Sequence, residues 1–213
     1  MVDFGSAKGV VVAKLKFGLV GGGYGAFIGQ VHRMAAELDG LAELVCGAFS
    51  SDPVQSRSAG VDIYHLPAAR SYPSFNEMFQ IEQQLPAAQR MDFVVVATPN
   101  HLHFPIAQQA LQSGFHVMCD KPVTFSLHEA LELQRLIQST NLTFGLSHNY
   151  TGYAMVREAR ELVRSGALGS IRRVSCEYLQ GWLAHPAAPN QQAQWRTDPT
   201  RAGGAGRLAA LGR

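Results

Sequence analysis

Apolar positions along the chain alternate between two periods, and the alternation is regular. "KFGLV" (16–20) is a short apolar run ending in glycines, and "FIGQVHRMAAEL" (27–38) then sets Ile28, Val31, Met34, Ala35 and Leu38 at helical spacing. "AELVCGAF" (42–49) predicts a second strand, and Asp52-Pro53 opens a helix with proline in its first turn. Ser74 heads "FNEMFQIEQQL" with Glu77 three residues on, a capping-box pattern. The strand "DFVVVATP" (92–99), the helix "PIAQQALQSG" (105–114) and the strand "FHVMCD" (115–120) follow. Ser126 caps "LHEALELQRLIQST", again with a glutamate, Glu129, three residues on, before the strand "LTFGLSHN" (142–149). Strands apolar on both faces and separated by helices predict an α/β fold, a Rossmann-type doubly wound parallel sheet.

Beyond residue 150 the rhythm changes. One amphipathic helix (153–165) leads to one alternating strand, "RRVSCEYLQ" (172–180), then to a Pro-, Ala- and Gln-rich loop and a Gly-rich end. The expected division is a tail over 1–14, a dinucleotide-binding Rossmann domain over 15–148, and an incomplete α/β second domain over 149–213.

Composition narrows the function classes. With 18 basic and 16 acidic side chains the net charge is +2, which gives no electrostatic case for a nucleic-acid or membrane partner. No apolar run approaches the roughly 20 residues of a membrane helix, and "MVDFGSAKGVVVAK" lacks the pattern of a signal peptide. The three cysteines are far apart, two of them inside apolar runs, which suits a reducing cytoplasm better than a disulfide framework.

Candidate chemistry concentrates at strand ends. "GLVGGGYGAFIG" (18–29) puts clustered glycines between a strand and a helix, where backbone can approach a pyrophosphate and the helix N-terminus offers N–H groups. Gly21-x-Gly23-x-x-Ala26 fits the dinucleotide fingerprint, while Gly29 stands as an alternative third glycine of a longer loop. Gly21, Gly23, Gly25, Ala26, Phe27 and Ile28 are the expected cofactor contacts, although methyltransferases carry similar turns. At the next strand's tip, Ser50 and Ser51 precede Asp52, with Arg57 further on. That set tolerates a ribose 2′-phosphate and leans the NAD(P) choice toward NADP, against a solvated loop with a surface arginine. "ATPNHLHFP" (97–105) ends another strand; His101 and His103 have no nearby acid or cysteine, so no metal site is expected. In "VMCDKPVTFS" (117–126), Pro122 keeps Lys121 extended at a strand's carboxyl end, where a lysine can serve proton transfer or simply close the strand at the surface.

Together "GLVGGGYGAFIGQVHR", "VVVATPNHLHFPIAQQAL", "VMCDKPVTFSLHEALEL", "ALGSIRRV" and "WRTDPTRAGGAG" resemble the Gfo/Idh/MocA family of NAD(P)-dependent oxidoreductases, with Asp-Lys-Pro standing for the family's Glu-Lys-Pro. The resemblance implies hydride transfer between nicotinamide and the hydroxyl or carbonyl carbon of a sugar, polyol or related small molecule. By the same resemblance Lys121 binds the reacting oxygen and assists proton transfer, and Asp120 faces the nicotinamide ribose. Thr98, Pro99, Asn100 and His103 line the cofactor, Trp195 and Arg196 reach it from the second domain, and Asn149 and Tyr150 are substrate contacts. The second-domain sheet is an expected homo-oligomer contact. The family's G-D-x-G-x-H helix, whose acid and histidine complete the catalytic set, is replaced here by "GAGRLAALGR". Weak or no turnover is therefore expected, and the alternative reading is a nucleotide-binding fragment of such an enzyme.

Overall fold

A computed structural model describes residues 13–177 together with Asp198 and Thr200. Its backbone runs β1 (Leu15–Gly21), α1 (Ile28–Glu37), β2 (Ala42–Ala48), α2 (Pro53–Asp62), α3 (Phe75–Glu82), β3 (Phe93–Ala97), α4 (His103–Gln112), β4 (His116–Asp120), α5 (Leu127–Gln138), β5 (Phe144–Ser147) and α6 (Ala154–Arg164). The strands form one five-stranded parallel sheet of order β2-β1-β3-β4-β5, the Rossmann-type arrangement expected from the alternation. β1 pairs in parallel with both β2 and β3, with a register shift between Phe17 and Gly18 on the β2 side.

Two compact units carry these elements, one running to Ala97 and including Gln109–Val117, the other made of Thr98–Gln108 and the chain from Met118. In the first, Phe17, Leu19, Val94, Val96, Phe79 and Phe115 are fully buried. Phe17 stacks on Phe93 at 5.4 Å and Phe79 on Phe115 at 6.1 Å. Each such side chain contributes about 1.5–3 kcal/mol by leaving water.

Caps explain where the helices begin. Asp52 accepts from the N–H groups of Val54 and Gln55 at 2.9 Å and heads α2, with Pro53 in the first turn where no N–H is needed. Ser126 and Glu129 form a full capping box on α5. At α3 Ser74 accepts from Glu77 N, but the Glu77 carboxylate pairs with Arg57 at 3.4 Å, so the reciprocal half of the expected box is taken by an ion pair. α4 begins at His103, two residues before Pro105, because a 3₁₀ turn over Asn100–Leu102 runs straight into it. Proline sits harmlessly in that first turn.

One expected element is not formed among the described residues. Residues 172–177 of the expected strand 172–180 have no regular structure and are exposed. They pair with no strand among the described residues, and a lone strand has no ladder to hold it. The remaining three positions lie outside the described residues. No helix among the described residues is long and apolar enough to cross a membrane.

Candidate functional site

β1 ends at Gly21, and Gly22 follows with φ +81°, a backbone setting that L side chains rarely adopt. A Cβ on Gly22 would lie 2.5 Å from the Tyr64 hydroxyl and 2.9 Å from Gly29 Cα. One on Gly29 would lie 2.5 Å from Gly22 Cα, and one on Gly23 would collide with the Phe49 carbonyl oxygen. Strand end and helix start thus touch backbone to backbone. Gly29 makes the close strand–helix contact that the fingerprint's third glycine provides, so of the two spacings the longer one describes this turn. Ala26 N donates to Gly23 O at 3.0 Å, closing the loop, while Gly25 and Phe27 are exposed. Phe27 heads α1 without a side-chain hydrogen bond to cap it.

Tyr64 braces this turn. Its hydroxyl donates to Gly22 O at 2.7 Å, and its ring stacks on Phe49 at 4.4 Å with the Arg33 guanidinium 5.8 Å from its centroid. Burial pushes its phenol up to about 12. Neither Tyr64 nor Gly22 stood out in the sequence. The tyrosine lies in a stretch without periodicity, and Gly22 is one of three successive glycines.

The β2 tip is built by short-range polar contacts. Ser56 Oγ accepts from Phe49 N at 2.8 Å and donates to Tyr72 O at 2.6 Å. Ser50 Oγ accepts from Asp52 N at 3.1 Å, and Ser51 is exposed. Arg57, the expected phosphate partner, donates to Glu77 Oε1 and to Ser71 O, each at 3.4 Å.

The second unit holds the other candidates. Thr98, Pro99 and Asn100 follow β3; Asn100 is buried and the Thr98 hydroxyl is buried without a partner among the described residues. His103 is fully buried, with Nδ1 2.6 Å from Pro122 O and Nε2 2.9 Å from Thr98 O. Both ring nitrogens thus face backbone carbonyl oxygens. β4 delivers Asp120, whose Oδ1 accepts from Ser147 Oγ at 2.9 Å, then Lys121, which is exposed. The neighbouring Cys119 thiol is pushed up to about 12, first by burial and then by Asp120.

Asn149 and Tyr150 belong to a 3₁₀ turn over Asn149–Gly152, where Tyr150 meets Tyr153 edge to face at 5.6 Å. Trp195 and Arg196 lie outside the described residues. Among the described residues no three His, Cys, Asp or Glu side chains gather as a metal ion would require.

Comparison with known proteins fits this arrangement. A family model described as "Oxidoreductase family, NAD-binding Rossmann fold" matches residues 15–148, and a GFO/IDH/MocA C-terminal domain model matches residues 156–212. The uncharacterized oxidoreductase YfiI of Bacillus subtilis (strain 168) is 33% identical over 200 residues, covering 91% of this chain and 49% of that protein. Two solved structures from Azotobacter vinelandii are also similar. An inositol dehydrogenase homolog complexed with NAD+ has a TM-score of 0.84 at 37% identity, over 89% of this chain and 48% of that one. The homolog complexed with NADH and myo-inositol has a TM-score of 0.81 at 34% identity, over 92% of this chain and 51% of that one. The chain spans about half the length of these relatives.

Proposed function

We propose, for a chain that belongs to the GFO/IDH/MocA oxidoreductase family with its NAD-binding Rossmann fold, that it binds a nicotinamide dinucleotide and serves hydride transfer to or from the carbinol carbon of a sugar or cyclic polyol. The observation that carries this reading is the β1–α1 turn, where Gly22, Gly23 and Gly29 leave no room for a methyl group and bare backbone fills the place of side chains. Such a surface suits a pyrophosphate, which needs N–H groups at close range. The solved relatives with NAD+ and with NADH and myo-inositol support the cofactor and the substrate class.

A nicotinamide dinucleotide held at the Gly22–Gly29 turn would supply or take the hydride. Lys121 holds the proton at the reacting oxygen, giving it up as a carbonyl becomes a hydroxyl and recovering it in the reverse direction. Asp120, anchored by Ser147, is assigned to the nicotinamide ribose, and Thr98 and Asn100 to the cofactor's edge. Asn149 and Tyr150 are assigned to substrate, and Trp195 and Arg196 to the cofactor from the second domain. The division into a nucleotide domain over 15–148 and a substrate domain from 149 is part of the same proposal.

Between NAD and NADP the geometry favours NAD. Glu77 holds Arg57, and its carboxylate would repel a 2′-phosphate there. A reducing cytoplasm suits free Cys46, Cys119 and Cys176. The exposed apolar side chains Met155, Val156, Leu162 and Val163 on α6 favour association with another copy. Sedimentation should then give a species of twice the chain's mass, and a monomer at every concentration rejects that part.

Fluorescence titration with NADH and NADPH tests the cofactor. Single-turnover oxidation of the bound nucleotide by a panel of sugar- and inositol-derived ketones tests the chemistry. Binding with turnover supports the proposal; binding without turnover for any ketone leaves a nucleotide-binding chain, and no binding rejects both.

A further inference from the structure

We propose that His103 and Ser147 form a two-point clamp that aims Lys121. This inference rests on the reading of Lys121 given above, and it assigns both side chains positioning roles rather than catalytic ones.

An exposed lysine on a four-carbon stem is a poor instrument for proton transfer unless the backbone beneath it is fixed. At Lys121 both flanking residues are fixed, and by side chains distant in sequence. The residue before it, Asp120, accepts from Ser147 Oγ at 2.9 Å across 27 residues of chain. The residue after it, Pro122, has its carbonyl oxygen 2.6 Å from His103 Nδ1, 19 residues away. Two hydrogen bonds therefore flank the lysine, one on the side chain of the residue before it and one on the carbonyl of the residue after it.

His103 is the more telling member. It is fully buried, and a leucine or methionine would fill that volume without the desolvation that an imidazole incurs. A buried histidine is explained by the polar contacts it makes, and here both ring nitrogens face main-chain carbonyls. Ring nitrogen and carbonyl oxygen at 2.6 Å need a proton between them, since two lone pairs at that separation repel. A neutral imidazole has one N–H to donate, and this shorter contact takes it. Thr98 O lies 2.9 Å from Nε2, the other ring nitrogen. One ring thus lies between the segment after β4, which carries Lys121, and the segment after β3, which carries Thr98 and Asn100.

Side-chain geometry supplies a test that separates the two arms. The amide nitrogen of asparagine is attached to Cγ, as Nδ1 of histidine is, whereas that of glutamine lies one bond further out, as Nε2 does. His103→Asn keeps a donor for Pro122 O, and His103→Gln moves it to Thr98 O. The full 213-residue chain is used for both readouts. The first is amide hydrogen exchange of the 118–124 peptide without ligand. The second is protection of Lys121 from acetic anhydride by saturating NADH, read by peptide mass spectrometry; the other three lysines, Lys8, Lys14 and Lys16, serve as internal standards.

The clamp requires His103→Asn to match the wild type within about twofold. His103→Gln and His103→Ala should exchange about tenfold faster over 118–124 and lose most of the protection, a change of the size one hydrogen bond supports. Ser147→Ala should fall between. Equal behaviour of the asparagine and glutamine variants in both readouts would overturn the proposal, because a ring that merely fills space does not distinguish its two nitrogens. If the wild type shows no NADH protection, the cofactor reading fails, while the exchange pattern still decides the clamp.

Discussion

The β1–α1 turn and the segment that follows β4 both close a strand of the sheet, yet they are shaped by opposite means. In the first, side chains are absent: Gly22 and Gly29 touch through backbone, and Tyr64 braces the turn from outside through one hydrogen bond. In the second, side chains do the shaping. Ser147 holds Asp120, His103 holds Pro122, and Lys121 stands exposed between them. A surface meant for a phosphate must present N–H groups at close range, and any Cβ keeps the ligand out. A proton-transferring amine must point, and pointing needs anchors.

Four substitutions probe that contrast, from the largest effect to the smallest. Lys121→Ala should slow hydride transfer by about 10² to 10⁴ while leaving NADH affinity within a few fold, as single-turnover and equilibrium titrations would read. Equal losses in both would mean that the lysine belongs to binding. Gly29→Ala should overlap Gly22 Cα and the Tyr64 hydroxyl, cost about 1–3 kcal/mol of stability and abolish measurable NADH binding. Thermal unfolding and fluorescence titration report these separately, and unchanged binding would remove the turn from the cofactor site.

Tyr64→Phe removes the donor to Gly22 O and should cost about 1 kcal/mol. Its signature is a pH dependence. Burial raises the phenol from 10.0 to about 12 in the folded protein, so the folded state holds that proton more tightly than the unfolded one. The associated stability is present below pH about 10 and is lost as the pH climbs toward about 12. The difference in unfolding free energy between wild type and variant should shrink across that window, and a constant difference would contradict the assignment. Glu77→Gln, which frees Arg57, should raise NADPH affinity relative to NADH by about two- to fivefold, the modest scale of an exposed ion pair. No change would place Arg57 away from the ribose.

What the sequence disclosed depends on how far apart the interacting groups lie along it. Period and capping are local, and the strand–helix order followed from them, as did the capping of α5 by Ser126 and Glu129. The Ser74 cap formed as expected on its serine side. Its glutamate did not close the box, because Arg57, 20 residues upstream, took the carboxylate. The same limit hid Tyr64, which meets Gly22 across 42 residues, and the contact of His103 with Pro122, 19 residues on. The missing strand over 172–177 is the converse case. Alternation marks a segment that is able to pair but supplies no partner, and none stands among the described residues. The place of Lys121 at the end of β4 was legible from its strand and proline, whereas the hydrogen bonds on either side of it reach across 19 and 27 residues.

The most direct measurement follows the hydride itself. NADH carrying deuterium at C4 would be mixed with the wild-type chain and an inositol-derived ketone, and the product examined for deuterium at its carbinol carbon. Slow labelling of that carbon is expected from the wild type, because "GAGRLAALGR" replaces the family's acid and histidine, with the same label arriving at least about a hundredfold more slowly from Lys121→Ala. Deuterium that stays on the cofactor with every ketone, or reaches product at the same rate in both proteins, would contradict the assignment of Lys121.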